Sequence, residues 1–346
     1  MTADTGLAER LHAAMFGVRS PDPPDLVVHW LDRHLRATLG VGINRIEFTA
    51  GAVGAVWAVA LGDGRRVMVK ALRPPVDLPR MAAVTRSQRV LAGRGFPCPA
   101  VLDGPTVTDG VVAVVEELRL VGAGSGDPHH DLDRAAMAAG LARQIALLAD
   151  LDGEDLVAGA PAWSRWADGS ARTGGLWPEP HDPVFDFTVA REHGWIDQLA
   201  RQAAAVLLQP AVGRPVIGHS DWVWQNVAVR DGVLLAGYDW DSLVWVDEPA
   251  VVGLCAGAFS QGSPTSPDAP SRPEVEAFAD DYDTARSVRF TRAERRRLDA
   301  AATWVRCYNA RCQLDNLVRR SMTPPTGSFL DQLVAERRTA SGDSAG

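Results

Sequence analysis

Residues 216–242 read VIGHSDWVWQNVAVRDGVLLAGYDWDS, and they gather the side chains with the most chemical potential in the chain. His219, Asp221 and Asn226 are spaced as His-x-Asp-x4-Asn, and Asp239 follows a second apolar run. One carboxylate in such a set can accept a proton from a hydroxyl. An amide oxygen and a second carboxylate can hold a hard divalent cation such as Mg2+ against phosphates. Together these are the parts that phosphoryl transfer uses. The spacing also gives a way to bring them together. Asn226–Arg230 alternates, with Val227 and Val229 on one face, Asp231-Gly232 is a strong type I′ turn signal, and Val233–Tyr238 returns as a second strand. A hairpin there would let Asp221, Asn226 and Asp239 converge at one end. The competing reading is a hairpin whose Asp and Asn side chains only cap turns.

This pattern resembles the aminoglycoside phosphotransferase family, the small-molecule branch of the protein-kinase-like fold. That family's His-x-Asp loop ends in Asn and is followed by a hairpin and an Asp, often before Trp; His219, Asp221, Asn226, Asp239 and Trp240 match it. The resemblance implies an α+β, two-lobed protein-kinase-like fold. A small antiparallel-sheet lobe, residues 1–118, would bind the nucleotide, and a larger, mostly helical lobe, residues 119–346, would carry catalysis and the acceptor. It implies that Asp221 orients and deprotonates an acceptor hydroxyl, that Asn226 and Asp239 bind Mg2+, and that ATP or GTP is the co-substrate. His219 is assigned to structure, holding the loop. Asp241 is a second carboxylate beside the metal site, either supporting it or touching substrate, and a solvated loop aspartate is an equal alternative.

Upstream, Gly40–Leu72 reads as three antiparallel strands: Arg45–Thr49, Ala55–Leu61 and Arg66–Leu72. Gly51 and Gly54 bracket the first turn, where backbone N–H groups can approach phosphates because glycine lacks a Cβ; a plain turn is the alternative. Lys70 lies in the apolar run Val67–Ala71, where an ammonium is costly to bury without an anion. By resemblance it pairs with the α- and β-phosphates. Residues 80–94 form a helix with Met81, Val84, Gln88 and Leu91 on one face. In the family this helix offers a Glu to the strand lysine, yet no Glu occurs between Lys70 and Glu116, and Ser87 and Gln88 occupy the region. Gly95-Phe96-Pro97-Cys98-Pro99 is similar to the family's turn after that helix. Val111–Val115 is an apolar strand, and by resemblance Glu116 and Leu118 offer backbone to the nucleotide base at a hinge.

Near the start, Asp25 caps a helix expected through Leu39, with Leu26, Trp30, Leu31 and Leu35 on one face; downstream, a longer helix is expected over Asp133–Asp152, with Met137, Leu141, Ile145 and Leu148 in one stripe. Residues 153–186 are rich in Gly, Pro and Trp and read as an irregular insertion that is a candidate for substrate contacts. Helices are expected over Val189–Leu208, Glu274–Ser287, Thr291–Arg319 and Ser328–Arg338, and a further one over residues 1–20. Asp247-Glu248-Pro249-Ala250 is similar to the family's Asp-Pro-Ala segment, but Val252 stands where the family has an Asp that buttresses the catalytic loop. The acidic run Glu274, Glu276, Asp280, Asp281 and Asp283 reads first as a solvated helix face and second as a lure for a cationic amine. His129-His130 is read as a loop pair rather than a metal site.

The 346 residues carry a formal charge of −8. That balance argues against nucleic acid as a partner, which calls for a basic face. The four cysteines have no Cys-x-x-Cys pairing and read as reduced thiols of a cytoplasmic protein. No apolar run approaches the roughly 20 residues that span a bilayer. The expected partner is a small-molecule hydroxyl acceptor, for a monomer or homodimer, with no nucleic acid and no membrane. The acceptor is an aminoglycoside-like or other antibiotic; the alternatives are a choline-, sugar- or amino-alcohol-like metabolite, or a nucleotide-binding pseudokinase without turnover.

Overall fold

The computed structural model describes residues 25–51, 54–72, 74–121, 126–170, 175–182, 185–188, 193–262, 269–324 and 326–340. The helix expected over residues 1–20 and the start of the one expected at Val189 lie outside them. The chain divides into two compact units, Met1–Leu120 and Val121–Gly346.

The first unit runs α1 (Asp25–Leu39), β1 (Ile43–Gly51), β2 (Ala55–Leu61), β3 (Arg66–Ala71), α2 (Leu78–Gly93), β4 (Val101–Thr108) and β5 (Val111–Glu117). The strands form one antiparallel sheet in the order β1-β2-β3-β5-β4. Side chains alternate across a strand, so odd-numbered positions share a face. Trp57, Val59, Val67, Val69, Ala113 and Val115 do so, and they bury against Val27, Trp30, Leu31 and Leu35 of α1. Leu26, expected on that stripe, is instead exposed. Even-numbered positions, including Lys70 and Glu116, therefore turn to the opposite face. There α2 presents Met81, Val84, Gln88 and Leu91, all buried.

Strand β4 has no counterpart in the sequence reading. Gly104-Pro105 interrupts it, and proline in a strand is confined to edges and irregularities. β4 is an edge strand, and its register with β5 shifts between Asp103 and Thr106. Gly104 is needed there, because at φ 108 a Cβ would come within 2.7 Å of the Ala113 carbonyl oxygen.

The second unit runs α3 (Asp131–Leu147), α4 (Gly194–Leu207), β6 (Pro215–His219), β7 (Val227–Arg230), β8 (Val233–Gly237), β9 (Leu243–Asp247), α5 (Glu248–Ala256), α6 (Arg272–Arg286), α7 (Arg292–Arg320) and α8 (Phe329–Ala340). Helix α3 begins and ends earlier than expected. His130 caps it, its side chain accepting from the Leu132 N–H, and it stops at Leu147. Strand β9 was also not foreseen; it pairs with β6. The 29-residue α7 starts at a capping box, Thr291 with Glu294. Its Trp304, Cys307 and Tyr308 pack with α4, α5 and the Trp-rich segment in one core. Within it Trp177 lies 4.8 Å from Trp304 and 5.7 Å from Phe187, ring centre to ring centre. The described parts of that segment are irregular as expected, carry two short 3-10 turns and give Trp177 to this core.

The acidic face of α6 is matched by arginines. Asp281 meets Arg134 at 2.8 Å, Asp280 and Asp283 meet Arg295 at 2.6 and 2.5 Å, and Glu276 meets Arg272 at 3.1 Å. All four cysteines are buried and free.

Arg297 of α7 makes a deeply buried charged link in this unit. It pairs with buried Asp247 and donates to the carbonyls of Val206, Leu207 and Gln209, which end α4. Breaking a buried pair strands its partner charge. Arg297→Ala should lower unfolding free energy by about 3–5 kcal/mol, read from urea titrations; a loss under about 1 kcal/mol, the range of exposed pairs, would show that Asp247 finds another partner.

Candidate active site

Two ladders close the ends of the loop that carries Asp221. In the first, β6 pairs with β9 and sets His219 opposite Leu243, while Ser220 donates through its N–H and its hydroxyl to the Ser242 carbonyl at 3.0 and 2.8 Å. In the second, β7 pairs with β8 and sets Val227 opposite Gly237, and the Tyr238 N–H donates to the Asn226 carbonyl at 2.8 Å. The turn between β7 and β8 has Asp231 at φ 51 and Gly232 at φ 72, the two positive angles of a type I′ turn. A register shift between Ala228 and Val229 breaks the expected alternation, so Val227, Ala228 and Val229 are all buried. The hairpin therefore returns the chain so that Asp239 follows Tyr238, directly across from Asn226.

The three expected side chains come together. Asn226 donates through Nδ2 to the Asp221 side chain at 2.7 Å and to its carbonyl at 3.0 Å. Asp221 keeps part of its surface open to solvent. Even so, burial and the like charge of Asp239 push its carboxyl up to about 7, against the pull of the Asn226 hydrogen bond. Asp239 itself sits in the left-handed region, φ 61 and ψ 49. A non-glycine residue holds such a backbone only where its surroundings demand it. It turns directly into the 3-10 turn Trp240–Ser242, on which Asp241 is exposed.

His219 acts as a brace. Its Nδ1 accepts from the Asp221 N–H at 3.2 Å, which leaves the ring proton on Nε2 to donate to the Tyr238 carbonyl at 2.9 Å. One imidazole thus ties the loop to the far end of the hairpin. Trp222 and Trp240 stand edge-on to it at 5.5 and 5.3 Å. The His219 backbone is held by Gln144 of α3, whose oxygen accepts from its N–H at 3.1 Å, and by the Cys255 thiol, which donates to its carbonyl at 3.1 Å. Trp222 donates to the Met137 carbonyl at 2.9 Å, and Trp163 donates to the Ser220 hydroxyl at 3.1 Å. Val252, where the family has an aspartate, is fully buried. Gln144, Cys255 and Trp163 were not identified from sequence. An amide within an Ala-rich helix and a lone thiol carry no spacing signal.

The donor set suits a hard cation. With Nδ2 committed to Asp221, the Asn226 Oδ1 is the atom left to bind, and Asp239 adds a carboxylate. Oxygen donors from few side chains match Mg2+, which keeps water and phosphate ligands. Among the described residues no cluster of three or more His, Cys, Asp or Glu side chains offers a metal site. His129 and His130 part company: the first pairs with Glu274, and the second caps α3.

In the first unit, Lys70 on β3 has its ammonium 3.5 Å from the Glu116 carboxylate on β5. Gln88 of α2 donates to the other Glu116 oxygen at 3.1 Å and to the Pro99 carbonyl at 3.0 Å. The Glu116 side chain thus faces the lysine. The Leu118 N–H is donated to the Arg66 carbonyl at 3.1 Å, so it is not open to a nucleotide base as the resemblance implies. Gly51 ends β1 opposite Ala55, and a Cβ at Gly54 would stand 3.1 Å from the Ala71 carbonyl oxygen. Residues 52 and 53 of the expected phosphate loop lie outside the described residues.

The Asp221 environment makes a prediction about stability. Its folded pKa of about 7 lies above the value of about 3.9 for an unfolded aspartate. The native state therefore binds the extra proton between those values, and stability falls as pH rises through that window. With EDTA present, Asp221→Asn should flatten this fall, by at most about 1.4 kcal/mol per pH unit. Urea titrations at about pH 5 and about pH 8 test it; the same pH dependence in both proteins would contradict the crowded, repelled carboxyl.

Comparisons with known proteins give the family and the fold. The profile of the phosphotransferase enzyme family (APH) matches residues 45–250, more than half of the chain. A search of curated proteins by sequence found no match. Among solved structures, the amicoumacin kinase hAmiN, in complex with AMP-PNP, Ca2+ and Ami, superposes with a TM-score of 0.58 at 10% identity, covering 80% of this chain and 83% of that one. A thermostable variant of aminoglycoside phosphotransferase APH(4)-Ia, in ternary complex with ADP and hygromycin B, gives 0.51 at 15% identity, covering 91% and 99%. Macrolide 2'-phosphotransferase type I gives 0.51 at 16% identity, covering 84% and 93%. These likenesses establish the protein-kinase-like fold, and the matched profile shows that the chain belongs to the phosphotransferase enzyme family.

Proposed function

We propose that this protein transfers the γ-phosphoryl group of ATP, or of GTP, to a hydroxyl on a small, antibiotic-like molecule. The observation that carries the reading is the Asp221 carboxylate, hydrogen-bonded to Asn226 at 2.7 Å and raised to a pKa of about 7 by burial and Asp239. A base tuned near the working pH is the form that general base catalysis favours. The acceptor's oxygen bonds to the γ-phosphorus, its proton passes to Asp221, and the bond from phosphorus to the bridging oxygen breaks to release the nucleoside diphosphate. Asn226 Oδ1 and Asp239 would hold Mg2+, which when bound neutralises phosphate charge. Lys70 would hold the α- and β-phosphates, Gly51 and Gly54 would border the loop over them, and Glu116 and Leu118 would line the nucleotide site. Asp241, exposed beside the metal residues, is proposed to reach the acceptor or to support the metal. His219 stays structural.

Rate would come from positioning and charge neutralisation rather than from covalent chemistry. The acceptor class is supported by relatives whose names carry amicoumacin, hygromycin B and macrolides. A choline-, sugar- or amino-alcohol-like metabolite would use the same groups. The missing glutamate on α2, together with Val252, favours a nucleotide-binding protein without turnover, whereas the carboxylate of Glu116 near Lys70 supports turnover.

Incubation of the protein with ATP or GTP, Mg2+ and a panel of aminoglycosides, macrolides, peptide antibiotics, nucleosides and amino alcohols should yield an acceptor one phosphoryl group heavier by mass spectrometry. Asp221→Asn should reduce that product by about 10²–10⁴-fold, the usual worth of a general base, and leave nucleotide-dependent thermal stabilisation in place. An Asp221→Asn protein of wild-type activity would overturn the assignment.

A further inference from the structure

We propose that Glu116, on strand β5, is the positioning residue for Lys70, supplying the carboxylate that helix α2 does not provide. The proposal rests on the reading of Lys70 as the phosphate-binding lysine, and gives Glu116 a side-chain role in that site.

Sheet register is the first support. Lys70 stands opposite Val114, and Met68 stands opposite Glu116. Lys70 and Glu116 are therefore diagonal neighbours on one face, within reach of long side chains. The Nζ to Oε2 distance is 3.5 Å, and the two side chains are 19% and 6% exposed. Removing both charges from water this far is costly unless they face each other.

Gln88 is the second support. It lies on α2, where the family's glutamate would be sought, and it is 1% exposed. Its Nε2 donates to Glu116 Oε1 and to the Pro99 carbonyl, which uses both amide hydrogens. Glu116 therefore divides its oxygens: one accepts from Gln88, and the other faces the lysine. The amide from the helix orients the carboxylate, and the carboxylate orients the ammonium. Strands β3 and β5 are hydrogen-bonded neighbours, so sheet register fixes the pair whatever the docking of α2.

A double-mutant cycle tests this with whichever of ATP or GTP stabilises the wild-type protein, and with the matching nucleoside as control. Glu116→Gln keeps an oxygen for Gln88 and removes only the charge. It should weaken triphosphate affinity about tenfold, affect nucleoside affinity far less, and add nothing in the Lys70→Ala background, because a residue acting through another gives non-additive effects. Glu116→Asp, which retains the charge, should recover part of the loss and guards against a folding defect in Glu116→Gln. A Glu116→Gln protein of wild-type affinity, or losses that add in the double variant, would overturn the positioning role while leaving Lys70 in place. Wild-type triphosphate affinity in Lys70→Ala, or no stabilisation of the wild type by either triphosphate, would overturn the reading of Lys70 and this proposal with it.

Discussion

The Asn226 amide has two hydrogens, and Asp221 supplies the acceptors that face them, one on its side chain and one on its backbone. That pair of contacts decides which end of the amide is free. With nitrogen turned inward, oxygen is left to meet a cation beside Asp239. The geometry depends on the β7–β8 hairpin, because only its return places Tyr238 on the Asn226 carbonyl and Asp239 next in line. Burial, with repulsion from Asp239 beside it, raises Asp221 to about 7 and is the electrostatic sign of the same crowding. In the proposed reaction a divalent cation would relieve that repulsion.

Much of this was legible in the residues. The His-x-Asp-x4-Asn spacing, the Asp-Gly turn and the returning apolar run are local signals, and local chemistry fixes a type I′ turn whatever the rest of the chain does. Lys70 was legible for a similar reason, an ammonium set in an apolar strand. Strands β4 and β9 were not. Gly104-Pro105 breaks the pattern of the first, and the second is a short apolar stretch whose partner, β6, lies far back in the chain. The Asp221–Asp239 coupling could be anticipated from the hairpin, but the bracing by Gln144, Cys255 and Trp163 could not. Their contacts to the loop arise from long-range packing.

Two departures from the family pattern resolve in opposite ways. Where a buttressing aspartate is replaced by Val252, the loop is held by neutral donors and acceptors: the Gln144 amide, the Cys255 thiol and the Ser220–Ser242 contacts. Neutral hydrogen bonds carry a smaller desolvation cost than a buried charge. Where α2 lacks a glutamate, the charge is kept and Glu116 carries it on the sheet. A lysine that is largely out of water still requires an anion, whereas a backbone loop requires only partners for its hydrogen bonds.

We propose that the Asn226 amide oxygen and the Asp239 carboxylate form a divalent-cation site for phosphate chemistry. Electron paramagnetic resonance of Mn2+, titrated with a non-hydrolysable triphosphate into the wild-type protein and into Asn226→Ala and Asp239→Ala, measures it most directly. One bound Mn2+ is expected in the wild type, weakened at least about tenfold in each variant. Equal binding in all three proteins would contradict it.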